Sequence, residues 1–140
     1  MAEPPIVDAP LFVDTDLLRR AGDLRASAVA ALDPGVADAV ERRIRELVGV
    51  PVRDGVAEPV VAEPVVADDA LAVVLDVAEQ FVLDVHGITD ERFARLSDHF
   101  DHAQVVALMF HMALVDGFAK LEQSSGTELP DVARSMEDQP

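Results

Sequence analysis

The placement of proline constrains this chain more than any other feature, because proline lacks an amide hydrogen and its ring clashes with the preceding helical turn. Pro4, Pro5 and Pro10 interrupt the first residues, Pro51, Pro59 and Pro64 interrupt the middle, and Pro130 opens the last segment. Helices are confined to the stretches between. Residues 1–14 therefore read as an extended arm and 130–140 as a polar tail, around one domain over 15–129. Within that domain "VAEPVVAEPVV", residues 56–66, carries the unit Ala-Glu-Pro-Val-Val twice in tandem. Too short for a solenoid, it reads as an extended or polyproline-like connector.

Five helices are expected in the proline-poor stretches, and the fold class is all-α. The first covers about 16–31, with Leu17, Leu18, Leu24, Ala28 and Leu32 at roughly helical spacing and Gly22 weakening its middle. Asp33 followed by Pro34 is a start signal, since the carboxylate caps free amides and proline at the first helical position loses no hydrogen bond. The second helix runs to about Val48, with Val36, Val40, Ile44 and Leu47 or Val48 inward and Glu41, Arg42, Arg43 and Arg45 turned to water. Asp68 or Asp69 is the expected cap of the third helix, about 70–83, which is apolar almost all round and so expected at the centre. A turn at Gly87 and a Thr89 cap lead into the fourth, with Phe93, Leu96 and Phe100 inward. Asp101 with Gln104 three residues on forms a capping box for the fifth, which continues to Ser124, Ser125 and Gly126.

Composition excludes several functions. Half the residues are hydrophobic, but aromatics make up only 4%, so Ala, Val and Leu supply the apolar mass, as closely packed helices require. A formal net charge of −16, with 27 acidic against 11 basic residues, repels phosphate backbones and anionic lipid. Nucleic acid and membrane partners are not expected. The absence of cysteine removes disulfides, thiolate metal sites and thiol nucleophiles. The acidic, proline-broken N-terminus does not read as a signal peptide, and no uninterrupted apolar run approaches membrane-spanning length. A cytoplasmic location is the resulting expectation.

Four residue groups are candidates for chemistry. His111 lies within Met109, Phe110, Met112 and Leu114, where desolvation would lower its pKa; it is an acid/base candidate or a hydrogen-bonded core or subunit-interface histidine. Gln104 and Glu122 share nearly its stripe, giving one polar line along an apolar helix, while Asp116 points elsewhere. Asp76 and Glu79 are carboxylates within an apolar segment and need a partner or a cavity. Glu79 and His86 are seven apart, hence on one face if the helix extends that far, and together can move protons or form a cap or salt bridge. "HFDH" places His99 and His102 near Asp98 and Asp101, but Asp101 is explained as a cap and no metal site is expected. Phosphate loops, Gly-x-Ser-x-Gly elbows and His-Glu-x-x-His are all missing, and no cofactor is implied.

The stretch "ALAVVLDVAEQFVLDVHGITDERFARLSDHFDHAQVVALMFHMALVDGFAKLEQSSGTEL" resembles the alkylhydroperoxidase AhpD and carboxymuconolactone decarboxylase-like superfamily, with an acidic residue in an Ala-rich helix, a "hGitDe…L…hF" helix and a "G-x-E-L" tail. "LDPGVADAVERRIRELVG" resembles that family's earlier helix. The resemblance implies an all-α domain assembling as a homo-oligomer, a trimer or hexamer. Redox members carry Cys-x-x-Cys directly after "LVG", then a histidine, with a carboxylate on the preceding helix. Those positions fall here on Val50 and Arg53, Ala57 and Asp38, so thiol peroxidase chemistry is excluded.

Two readings follow. In the first, the chain is a divergent member doing cofactor-free, thiol-free acid/base chemistry, such as decarboxylation or isomerisation, on a small carboxylate or lactone-type metabolite. Arg53 then binds the substrate carboxylate and His111, Glu79 or His86 moves protons. In the second, it is a non-catalytic oligomeric scaffold or binding and assembly protein.

Overall fold

The computed structural model describes residues 15–51 and 66–125. The N-terminal arm, residues 56–65 of the proline-valine connector, Arg53, Ala57 and the C-terminal tail lie outside the described residues. Within them every regular element is helical: α1 (Thr15–Ala30), α2 (Pro34–Val48), α3 (Asp68–Leu83), a 3-10 turn (Val85–Gly87), α4 (Asp90–His99) and α5 (His102–Ser125).

Most helix ends follow local chemistry. The Asp33 carboxylate accepts from the Val36 amide at 3.1 Å and starts α2, with Pro34 behind it. Thr89 accepts from the Arg92 amide at 3.3 Å and starts α4. At α5 the capping box is complete: Asp101 Oδ1 accepts from the Gln104 amide at 2.8 Å, and Gln104 Oε1 from the Asp101 amide at 3.0 Å. The start of α3 departs from expectation. Its cap is Ala67, with no side-chain bond, and Asp68 and Asp69 lie inside the first turn, where their charge faces the helix N-terminus.

The central helix is α2, not α3. One side of α2 packs on α5 and another on α3, while α1 lies on α5 and α4 closes over α3. Val36, Val40 and Ile44 are fully buried on α2, facing Val74, Val77 and Ala78 of α3 and Leu108, Met112 and Ala119 of α5. Apolar α3 reaches the surface because only part of its circumference meets α2; Leu83 is 71% exposed. Peripheral apolar residues expected inward also lie outward: Leu17, Leu24 and Phe93 are exposed, whereas Ala28, Leu32, Leu96 and Phe100 are buried.

The end of α2 is where the two longest-range polar contacts of the core meet. Gly49 adopts φ 89°, a left-handed conformation that disfavours any side chain, and its amide and that of Val50 both return to the Arg45 carbonyl at 2.9 and 3.0 Å. Arg45, expected in water, is 6% exposed. Its Nη2 donates to Glu122 Oε2 of α5 at 2.6 Å, and its Nε to the Pro51 carbonyl at 2.8 Å. Gln123 donates to the Val48 carbonyl at 2.7 Å. One guanidinium thus ties the turn after α2 to the last turns of α5.

A buried ion pair is costly to break from one side, since the remaining charge is stranded. Arg45→Met should therefore lower unfolding free energy by about 3–5 kcal/mol. Adding Glu122→Leu should restore most of that loss in urea titrations; no recovery would mean that the guanidinium acts through packing or the Pro51 bond alone.

Candidate functional site

Two residues of the polar line expected from sequence, His111 and Glu122, lie on the inner face of α5 and meet α2, whereas Gln104 turns back to the Asp101 amide. His111 and Glu122 are eleven residues apart, nearly three turns, so both side chains project from one stripe toward α2. His111 is 1% exposed and lies against the first half of α2. Its Nε2 meets the Ala37 carbonyl at 2.9 Å. A carbonyl can only accept, so Nε2 carries the proton and Nδ1 is the lone-pair nitrogen of a neutral ring. Nδ1 is buried without a hydrogen-bond partner among the described residues. Burial pulls the His111 pKa below its usual value; the bond to Ala37 and the charge of Glu41 oppose that shift, and Arg25 adds to it. Arg25 of α1 and Glu41 of α2 form an ion pair at 2.6 Å, so three helices contribute to these surroundings.

The other predicted site residues have different partners. Glu79 on α3 accepts from Arg43 Nε of α2 at 2.8 Å and from the same guanidinium's Nη2; the pair is more than one-third exposed on both sides. This contact raises the Arg43 pKa through the hydrogen bond first and the charge second. His86 does not share the helical face of Glu79. The backbone turns extended at Asp84, with φ −163° and ψ 102°, and His86 sits in the 3-10 turn with its side chain 92% exposed, Nδ1 3.3 Å from Asp84 Oδ1. Arg53 is outside the described residues. His111, Glu79 and His86 thus have no partner in common.

Asp76 has both the partner and the cavity that its apolar neighbours called for. Arg92 Nε donates to it at 2.9 Å, and a cleft of about 180 Å³ between α3 and α4 is lined by Ala72, Val73, Asp76, Arg92 and Arg95. His99 and His102 are exposed, and among the described residues no three potential ligands cluster as a metal would need.

The feature that residue-by-residue chemistry missed is the outer face of α5. Opposite the buried stripe, Ala103, Val106, Phe110, Ala113, Gly117 and Leu121 stand exposed at spacings of three, four, three, four and four. Val106 is 40%, Phe110 48% and Leu121 44% exposed. These positions form one continuous strip about 27 Å long at the rise of an α-helix. The segment His102–Ser124 is long and apolar enough to cross a membrane by length and composition, and only 39% of it is buried. Sequence did hold the signal: apolar residues on both sides of one helix exceed what a single core can absorb.

A buried neutral histidine has a definite pH signature. Its folded pKa lies below the unfolded value of about 6.5, so the unfolded chain binds the extra proton first and stability falls as pH drops from about 6.5 toward the folded pKa. Above pH ~6.5 this contribution is flat. Subtracting the stability profile of His111→Leu from that of the wild type should isolate this slope; parallel profiles between pH 5 and 7 would sink the assignment. The chain matches no protein-family profile, no curated protein and no solved structure.

Proposed function

We propose that this protein is a non-catalytic assembly module, a helical scaffold of the AhpD-like kind without the thiols, whose working surface is the outer face of α5 and which self-associates through it. The observation carrying this reading is the strip from Ala103 to Leu121, free of charge in a chain of which 27% is charged. Exposed apolar surface gathered into one strip, with an aromatic near its middle, has the composition of an association surface, whereas scattered single apolar residues do not. Phe110→Glu should hold the chain at the mass of one subunit in sedimentation equilibrium at concentrations where the wild type rises above it, with the helical circular dichroism unchanged. A wild type that stays at one subunit's mass at every concentration would overturn the reading.

One observation favours acid/base chemistry instead: Nδ1 of the neutral His111 keeps a lone pair with no hydrogen-bond partner among the described residues, although burial lowers its proton affinity. A substrate would reach it only if the α2–α5 seam opened. Histidine acylation by diethyl pyrocarbonate tests this directly. His86, His99 and His102 should react and His111 should be protected; reaction of His111 at the rate of the exposed three would favour the enzyme.

A further inference from the structure

Gly117 is unexplained by the described residues of its own chain. It lies inside α5, exposed, and a Cβ placed there meets nothing within 4 Å. Glycine in a helix interior is disfavoured relative to alanine, and no packing among the described residues offsets it here. A missing side chain on an outward face is useful where a second surface comes close. The neighbours on that face give the shape of this second surface. Ala103, Val106, Phe110, Ala113, Gly117 and Lys120 follow the alternating three-four spacing of a helix–helix seam. Along the seam the bulky Val106 and Phe110 precede the small Ala113 and Gly117, while the exposed Leu121 of the same face flanks the seam beside Lys120.

We infer that α5 pairs with α5 of a second copy, antiparallel about a two-fold axis, with Phe110 set against the partner's Ala113 and Val106 against the partner's Gly117. The inference rests on the assembly reading above and adds its partner, orientation and register. A parallel pair would stack Phe110 on Phe110 and leave a gap between the glycines. Sliding the antiparallel pair by one heptad layer sets Phe110 against Val106 and wastes the glycine opposite His99. Only the stated register opposes large to small in every central layer.

Charge agrees with it. With 27 acidic residues, two copies must meet where carboxylates do not face each other, and the seam carries none. Its one charged member, Lys120, is bridged to Asp116 of its own helix at 2.9 Å and lies opposite the partner's Ala103, so it brings no unopposed charge to the seam. A single helix pair about 27 Å long covers less than the roughly 800 Å² per partner of a standard stable interface. The pairing is therefore reversible and dependent on concentration.

The cysteine-free chain allows single spin labels to test the geometry. At an interaxial distance of 8–10 Å, the stated register puts the two labels of Ala113→Cys about 10 Å apart and those of Ala103→Cys about 27 Å apart, before the label's own length. Parallel pairing makes both about 10 Å, and the slipped antiparallel register makes both about 17 Å. Gly117→Ala supplies an independent readout with opposite signs: a higher thermal midpoint for the dilute single subunit and at least tenfold weaker self-association. Self-association with equal label distances, or untouched by Gly117→Ala, overturns the pairing while leaving the assembly reading standing. No self-association overturns both, as does uptake onto phosphatidylcholine vesicles that Phe110→Glu abolishes in its place.

Discussion

The contact between Arg45 and Glu122 is the constraint on which the arrangement of the core depends. Two charges at 2.6 Å, each side chain under a tenth exposed, hold α2 and α5 at one axial setting, because a slide of either helix would strand both in apolar surroundings. That setting places Val36, Val40 and Ile44 opposite the inner face of α5, and brings Ala37 to the nitrogen of His111. The same guanidinium holds Pro51, so the chain leaves α2 along a fixed path toward the connector. Hydrophobic burial supplies most of the attraction between these helices, but it is tolerant of sliding; the ion pair and the two side-chain-to-carbonyl bonds from α5 are not.

Much of the helical frame was legible because its signals are local. Asp33-Pro34, Thr89 and the Asp101/Gln104 box each act within four residues, and each does in the structure what its chemistry requires. The misread residues are those decided at long range. Arg45 follows Ile44 on the wheel of α2 and looks solvent-facing until Glu122, 77 positions later, arrives beside it. The third helix looked central because its own sequence is apolar, but α2 lies between α3 and α5 and buries seven of its residues against four of α3. His86 left the face of Glu79 because Gln80 bonds to the Asp84 carbonyl and the chain turns there, an event of one side chain that periodicity does not carry.

The predicted site residues illustrate the same division. Burial of His111 was foreseeable from its apolar neighbours, and its lowered pKa follows from that burial. The identity of its partner was not, since Ala37 contributes a backbone carbonyl and no side-chain signal. Glu79 needed a partner and found one in Arg43, whose permanent charge keeps that carboxylate in a structural contact.

The two faces of α5 solve different problems of specificity. Its inner face is recognised by polar groups: His111, Glu122 and Gln123 each meet an acceptor or donor on α2 or the turn after it, and a wrong setting would leave buried polar atoms unsatisfied. Its outer face has no such groups between Ala103 and Gly117, so a surface meeting it is not selected by hydrogen bonding there. What remains to select is size, and the contrast of Val106 and Phe110 with Ala113 and Gly117 is the size pattern available. A surface that is apolar but smooth would associate in many registers; a glycine that meets no other described residue on its outer side, seven residues from an exposed phenylalanine, turns the same strip into one with a preferred fit.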